Sequence, residues 1–494
     1  MREYLTLKEL KNLDFEAIER LQNKRFQATA RYMLPQAEFY SNLFKEYKID
    51  EFSIRRVQDW HRLGLPLIKK SFYMRSPEQF IVKPKQPVKE YLRFLKEINY
   101  ACYVLVLIKS IFNKRSVKEK IEEFYTIKMP AFSGGTESGT PTPVFITTKQ
   151  KMENLDAILK IISDLIKEKY LQENNTGMNL FPYGPHLGWH SVHHALDLAV
   201  QLNLCTAAGG AISTERLVKI AEEFKPNVFA GMSSYIRNKF LQVARKNKIT
   251  LRENILFING AAKMYNNERQ KIKRLAKELG AQKVDVLDFY GASELKEDLM
   301  PECVENSGFH HIGALSNIIK TVETSGTEKG GLISEWTFSN SGHAVVWNID
   351  GAGTLLEGYL LGDIYSKIEK NKCSNCGLNV ERIINVDRIK NVESQLRITG
   401  IVEEKIKGTR VNLSVIRERL LSLPFVQEAQ ILVKKTNKGD RLIINIVSKI
   451  NKYIAIKQVK ESLKQEEITP EIRVVKLKDI TGESLKFEAI KIVQ

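Results

Sequence analysis

The chain has 494 residues, enough for more than one domain with a sizeable core. Hydrophobic residues make up 43% and charged residues 27%, which is the composition of a folded globular protein and excludes disordered and collagen-like classes. The net charge of +18, from 76 Lys and Arg against 58 Asp and Glu, is spread among Glu, Ile and Asn; it lacks the basic block or basic–aromatic interleaving of a nucleic-acid platform and fits small anionic substrates equally well.

From the N-terminus, Leu10, Leu13, Phe15, Ile18 and Leu21 recur at helical spacing, so residues 1–60 read as amphipathic helices with no secretory leader. The apolar run 100–108 stops at Lys109, well short of the ~20 residues a bilayer span requires; it reads as a buried helix or strand, and no membrane partner is expected. Five cysteines (Cys102, Cys205, Cys303, Cys373, Cys376) make no disulfide framework in a chain this long, which points to a reducing, cytoplasmic setting. Cys102 and Cys205 read as buried apolar cysteines.

The segment Phe132-Ser133-Gly134-Gly135-Thr136-Glu137-Ser138-Gly139-Thr140 joins an apolar approach to a strand-like exit at 144–148. Its glycines free backbone N–H groups to face an anion, and its hydroxyls add donors without bulk. It is suited to a polyphosphate, although it is not a Walker loop. Beyond it, helices are expected over 149–170, 191–202, 214–224, 235–246 and 267–279, and strands over 228–230, 255–258 and 284–289. That alternation indicates an α/β domain with a largely parallel sheet, and ligands gather where such strands end, here at Asn259-Gly260 and Tyr290-Gly291. Residues 310–400 are richer in β signals. After Gly400 the order helix (414–423), strand (429–434), strand (441–448), helix (454–465), strand (473–477) describes a small α+β module.

The order of these motifs resembles that of the adenylate-forming enzymes, and in particular the phenylacetate–CoA ligase family. The resemblance rests on the loop at 133–140, Tyr290-Gly291-Ala292-Ser293-Glu294, Gly362-Asp363, the segment from Gly400 to Asn412, and Ser484-Leu485-Lys486-Phe487. Pro182-Tyr183-Gly184, Phe229 through Tyr235, and Pro301-Glu302-Cys303 with Gly308-Phe309-His310 add local matches over roughly residues 15–494. It implies a large adenylation domain over 1–399 with mixed and parallel sheets, and a small mobile α+β domain over 400–494 carrying a catalytic lysine. The implied activity is ATP-dependent activation of a carboxylic acid as acyl-AMP, followed by thioester formation with CoA.

By the same resemblance, Ser133, Gly134, Gly135, Thr136, Ser138, Gly139 and Thr140 would hold the ATP phosphates. Gly260, Ala261, Tyr290 and Gly291 would line the adenine site, and Asp363 would accept the ribose hydroxyls. Glu294 would hold Mg²⁺, Lys486 would stabilise charge on the carboxylate and α-phosphate, and Glu403 would be the hinge acid. Trp189, His190 and Tyr235 would border the acyl pocket. The oligomeric state is open, a homodimer being one option. Several positions depart from the family's pattern: Glu137 in the loop, no arginine in 358–363, Ile401 in place of the hinge arginine, and Ala262 after Gly260-Ala261. Two further readings therefore stand beside CoA transfer. One is adenylylation with a deazaflavin coenzyme or carrier protein as acceptor, and the other is a non-catalytic member acting as a binding protein.

A second signal is metal chemistry. Cys373-Ser374-Asn375-Cys376-Gly377 is a zinc-type knuckle, with Cys303 and His310 as the remaining ligands of a structural zinc and His311 as the alternate. His190 and His194 lie four residues apart without the Glu of a metalloprotease motif, so no second metal is expected there.

Overall fold

The computed structural model describes residues 4–132, 141–184, 187–209, 212–325, 328–388, 413–434, 441–463, 470–481 and 489–493. The chain divides into two compact units. One comprises Met1–Asn179, Tyr183–Cys205 and Leu287–Val386; the other comprises Leu180–Pro182, Thr206–Val286 and Asp387–Gln494. The domain boundary expected near residue 400 lies outside the described residues, as do the phosphate loop 133–140, the hinge with Glu403, and Lys486.

In the first unit, the helix Leu7–Asn12 begins at Thr6, whose hydroxyl and Glu9 form a reciprocal capping box. The helices Phe15–Ala28, Glu38–Glu46 and Pro87–Ile98 place Phe26, Tyr40 and Phe94 in one buried cluster with Val345, Trp347 and Tyr359. Those last residues belong to a sheet whose order is Glu328–Lys329, Leu332–Ile333, Leu67–Ile68, Glu357–Glu369, Gly342–Asn348, Asn317–Thr324, Trp336–Ser339. Arg382–Arg388 pairs with Glu357–Glu369 on one side and with Phe309–His310 on the other. Elsewhere in this unit Thr176–Asn179 runs parallel to Leu202–Leu204, connected by the helix Leu187–Ala199. The sequence pattern extended that helix to residue 202; the chain instead turns and enters a short strand.

Two expectations of burial are overturned. The run at 100–108 lies in a helix, Tyr100–Phe112, none of whose residues is buried. Its apolar residues sit on both faces, and a single helix can turn only one face to the core. Cys205 is exposed and Cys102 half-buried, because Cys205 follows an edge strand. Among the described residues no helix is long and apolar enough to cross a membrane.

In the second unit Val228–Gly231 and Asn254–Asn259 pair in parallel, linked by helical turns over 233–246. The C-terminal part forms a four-stranded sheet ordered Glu471–Val474, Arg441–Ser448, Val426–Lys434, Ile490–Val493. Its own core gathers Leu413, Ile416, Leu420, Ile431, Ile444 and Val459. It meets residues 237–271 through a buried ionic cluster. Glu428 pairs with Arg237, and with Arg417 at 2.9 Å; Glu268 lies 3.2 Å from Arg237 and 3.1 Å from Arg417. All four side chains are 4% exposed or less. Asn238 Nδ2 also donates to Glu428, and Arg417 stacks over the Tyr265 ring.

Beside this cluster Lys271 Nζ donates to the Val426 carbonyl at 2.7 Å. Burial first, and then the nearby Arg237, lower its pKa to about 7. Truncating one member of the quartet strands its partner's charge, so Glu428→Ala should cost about 3–5 kcal/mol in denaturant unfolding. The lysine sets a pH slope. Its folded pKa lies below the unfolded value, so the unfolded chain binds more protons between pH 7 and about 10.5. Relative to Lys271→Met, the wild type should gain stability as pH rises through that window, and a difference independent of pH would contradict this.

Candidate functional site

Tyr290 ends the strand Lys283–Tyr290, and Gly291 turns the chain into the short helical turn Ser293–Leu295. Facing them is the long strand Glu357–Glu369. Tyr290 donates its hydroxyl to Asp363 Oδ2 at 2.8 Å, and Tyr365 donates to the Tyr290 hydroxyl at 2.9 Å. Burial, followed by the Asp363 charge, holds the Tyr290 hydroxyl well above the usual phenol range, so it stays a donor. Its ring lies at a tilt to Phe309 and edge-on to Tyr365. One turn on, Glu294 is 5% exposed and accepts from the Tyr359 hydroxyl at 3.5 Å.

Three residues expected to handle nucleotide and metal, Tyr290, Asp363 and Glu294, thus sit together in one unit. The arrangement provides two carboxylates and an aromatic edge, which suits a sugar hydroxyl, a cation and a flat ring. Tyr359 and Tyr365 complete the cluster and were missed. Their signal was available, since they flank Gly362-Asp363 on alternating positions of one strand. Behind it Glu357 is fully buried with neither carboxylate oxygen hydrogen-bonded, and burial pushes its pKa well above the carboxylate range.

In the second unit Gly260 and Ala261 follow the strand Asn254–Asn259. Ala261 holds φ of +63°, in the left-handed region that a Cβ disfavours. The Asn259 side chain maintains it, accepting from Ser233 N at 2.7 Å and donating to the Ala262 carbonyl at 2.7 Å. Tyr235, also here, is buried and hydrogen-bonds Thr214. Trp189 and His190 belong to the first unit, on the helix Leu187–Ala199. Their rings lie perpendicular at 5.4 Å, and burial lowers the His190 pKa. His194 bonds Asp156 and His193 stacks on Trp189. A cavity of about 1060 Å³ in the first unit is lined by none of the expected site residues.

The metal cluster is the most completely defined site. Donor atoms of Cys303, His310, Cys373 and Cys376 all lie within 4.8 Å of one another. Cys303 Sγ to Cys373 Sγ is 3.6 Å, and Cys376 Sγ to His310 Nε2 is 3.5 Å. Tetrahedral zinc with Zn–S of ~2.3 Å and Zn–N of ~2.0 Å requires separations of about 3.8 and 3.5 Å. His310 Nδ1 bonds the Pro301 carbonyl at 3.1 Å, which fixes the tautomer that leaves Nε2 for a metal. Gly377, at φ of +75°, makes the knuckle's turn and donates to the Cys373 carbonyl. Packed this closely, the thiols titrate apart, Cys373 being held low and Cys376 pushed high by hydrogen bonds with Cys303 first. A divalent cation would relieve that conflict. The alternate, His311, points elsewhere: its Nε2 lies 3.0 Å from Asp298.

No protein-family model matches the chain, and no curated protein sequence matches it. Solved structures do. The crystal structure of 2-hydroxyisobutyryl-CoA ligase in the postadenylation state with R3-HIB-AMP superposes with a TM-score of 0.67 at 13% identity, covering 100% of this chain and 92% of that one. The same ligase in an open conformation with 2-HIB-AMP and CoA gives 0.57 at 13% identity, covering 99% and 94%. Its thioesterification state gives 0.53 at 14% identity, covering 98% and 91%. The chain therefore has the fold of the adenylate-forming ligases.

The cluster predicts that purified protein carries one zinc, measured by elemental analysis, and that Cys373→Ser or Cys376→Ser abolishes it. His310→Ala should lower zinc content, while His311→Ala should keep it.

Proposed function

We propose that this chain is an ATP-dependent ligase that activates a carboxylic acid as acyl-AMP and passes the acyl group to CoA, as phenylacetate–CoA ligases do. The observation that carries the reading is the convergence of Tyr290, Asp363 and Glu294, the same residues that the motif order assigns to nucleotide and metal. The fold supports it over the whole chain length.

In the first step a carboxylate oxygen attacks the α-phosphorus of ATP and pyrophosphate leaves. In the second, the CoA thiol attacks the acyl carbon and AMP leaves. Both are governed by charge, since anions must approach one another. Asp363, already a hydrogen-bond acceptor, would take the ribose hydroxyls, with Tyr290 beside the adenine. Gly260 and Ala261 would line the base. The loop Ser133–Thr140 would cradle the phosphates, and Lys486 would stabilise charge on the carboxylate and α-phosphate. Glu294 would hold Mg²⁺, which offsets phosphate charge when bound. Trp189, His190 and Tyr235 are the proposed acyl-pocket residues, with residues 400–494 as the mobile small domain and Glu403 as its hinge acid. The zinc would serve structure, because protein supplies all four of its ligands.

The test is ATP–pyrophosphate exchange across aryl and aliphatic acids. Acid-dependent exchange is expected, with Lys486→Ala lowering kcat about 10²–10³-fold, the effect of removing one charge-stabilising donor. Asp363→Asn should raise the KM for ATP more than it lowers kcat. A folded protein that binds no ATP would overturn the reading.

A further inference from the structure

The helix Tyr100–Phe112 is the most exposed apolar element among the described residues. Phe112 is 84% exposed, Ile111 75% and Tyr100 60%, and Leu105, Leu107 and Ile108 are exposed beside them. At 100° per residue these six positions sweep an arc of about 160°. The opposite side carries Cys102, Tyr103 and Val106, which pack on the unit's core. The helix is anchored by its inner face and by its N-cap, where Asn99 Oδ1 accepts from Cys102 N. Its outer face therefore offers aliphatic and aromatic side chains where water-facing helices carry charge; Lys109 is its one charged residue.

The flanks supply the complementary feature. Residues 85–120 hold nine Lys and Arg against three Glu, a net +6. Lys89, Arg93 and Lys96 are exposed on the preceding helix, and Arg115, Lys118 and Lys120 on the following one. Glu97 pairs with Arg31 and Glu90 is buried beside Arg93, while Glu119 pairs with Arg115 and Glu122, just beyond, with Lys118, so Lys89, Lys96 and Lys120 carry the exposed excess. An apolar ridge set among cations matches an anionic lipid surface, with apolar side chains entering the acyl boundary and lysines meeting headgroups. A second copy of this chain would instead set one +6 surface against another. At 13 residues the helix is about 20 Å long, too short to span the ~30 Å hydrocarbon core, so it would lie in the plane of the interface.

We propose that this helix docks the protein on anionic lipid bilayers, a contact independent of the ligase reading and contrary to the expectation of no membrane partner. The full chain should co-sediment with vesicles of phosphatidylcholine and phosphatidylserine at least tenfold better than with phosphatidylcholine alone. Binding should weaken several-fold as salt rises from about 0.1 to 0.5 M. Ile111→Asp with Phe112→Asp should reduce vesicle binding at least tenfold and leave the melting temperature unchanged, as fits two exposed side chains. Lys89→Glu with Lys118→Glu should reduce it on anionic vesicles alone. Absence of binding by the wild type overturns the proposal. So does a fall in melting temperature in the aspartate variant, which would show a packed face, or a wild-type dimer that this variant dissociates without any vesicle binding.

Discussion

Burying four charged side chains is unfavourable unless each finds its counter-ion, and the second unit is organised around that requirement. Removing a single carboxylate or guanidinium from water costs several kcal/mol, and only close pairing with added hydrogen bonds offsets it. Arg237, Glu268, Arg417 and Glu428 form a closed square of alternating sign, with the Ala429 carbonyl taking Arg417 Nε and Asn238 supporting Glu428. Two corners come from residues 237–268 and two from the C-terminal module. A greasy interface of the same size would tolerate sliding; these four ion pairs form in one register only. Lys271 reaching Val426 and Asn267 reaching Glu418 reinforce that register from the helix Asn266–Glu278.

The first unit meets a different constraint, which is to hold an aromatic hydroxyl and two carboxylates close together without a hydrophobic collapse around them. The strand Glu357–Glu369 does this by alternation, presenting Tyr359, Asp363 and Tyr365 toward Tyr290 and Glu294. The cysteine cluster then acts on the same place through one peptide bond. His310 is a cluster donor, and its neighbour Phe309 packs on Tyr290 at 5.7 Å. Fixing His310 between Cys376 and the Pro301 carbonyl fixes the backbone of Phe309, and so one wall of the tyrosine. The zinc-type cluster is best understood as a brace for that wall, not as an isolated staple.

Much of this was legible in the sequence because it depended on local pattern. The strands ending at Asn259 and Tyr290 carry β-branched and aromatic runs that stop at glycine, and the knuckle spacing of Cys373 and Cys376 is itself geometric. The pairing of Cys303 and His310 with that knuckle was readable through motif order. What escaped were interactions whose partners lie far apart along the chain. Nothing local marks Glu428 as the partner of Arg237, 191 residues away, and Glu428 reads as one more acid on an amphipathic strand. Tyr359 and Tyr365 were passed over because tyrosine on a strand is ordinary core material. Short strands such as Leu202–Leu204 were absorbed into a neighbouring helix, since three residues hold too little period to separate them.

The same limit explains the two misread burials. Hydropathy measures how much apolar surface a segment has, not which way it faces. The window 100–108 is apolar on every side, so its pattern could not distinguish a helix enclosed by the core from one lying on it. Net charge has the complementary defect: +18 over the whole chain appeared diffuse because lysine is common everywhere. Folding resolves both at once. It turns Glu97 to Arg31 and buries Glu90 while leaving Lys89, Lys96 and Lys120 exposed, so part of a scattered excess becomes a local one beside an apolar ridge. Apolar surface in water is unfavourable in proportion to its area, and its persistence on a ridge between two lysine-bearing helices is a physical statement about what that face meets.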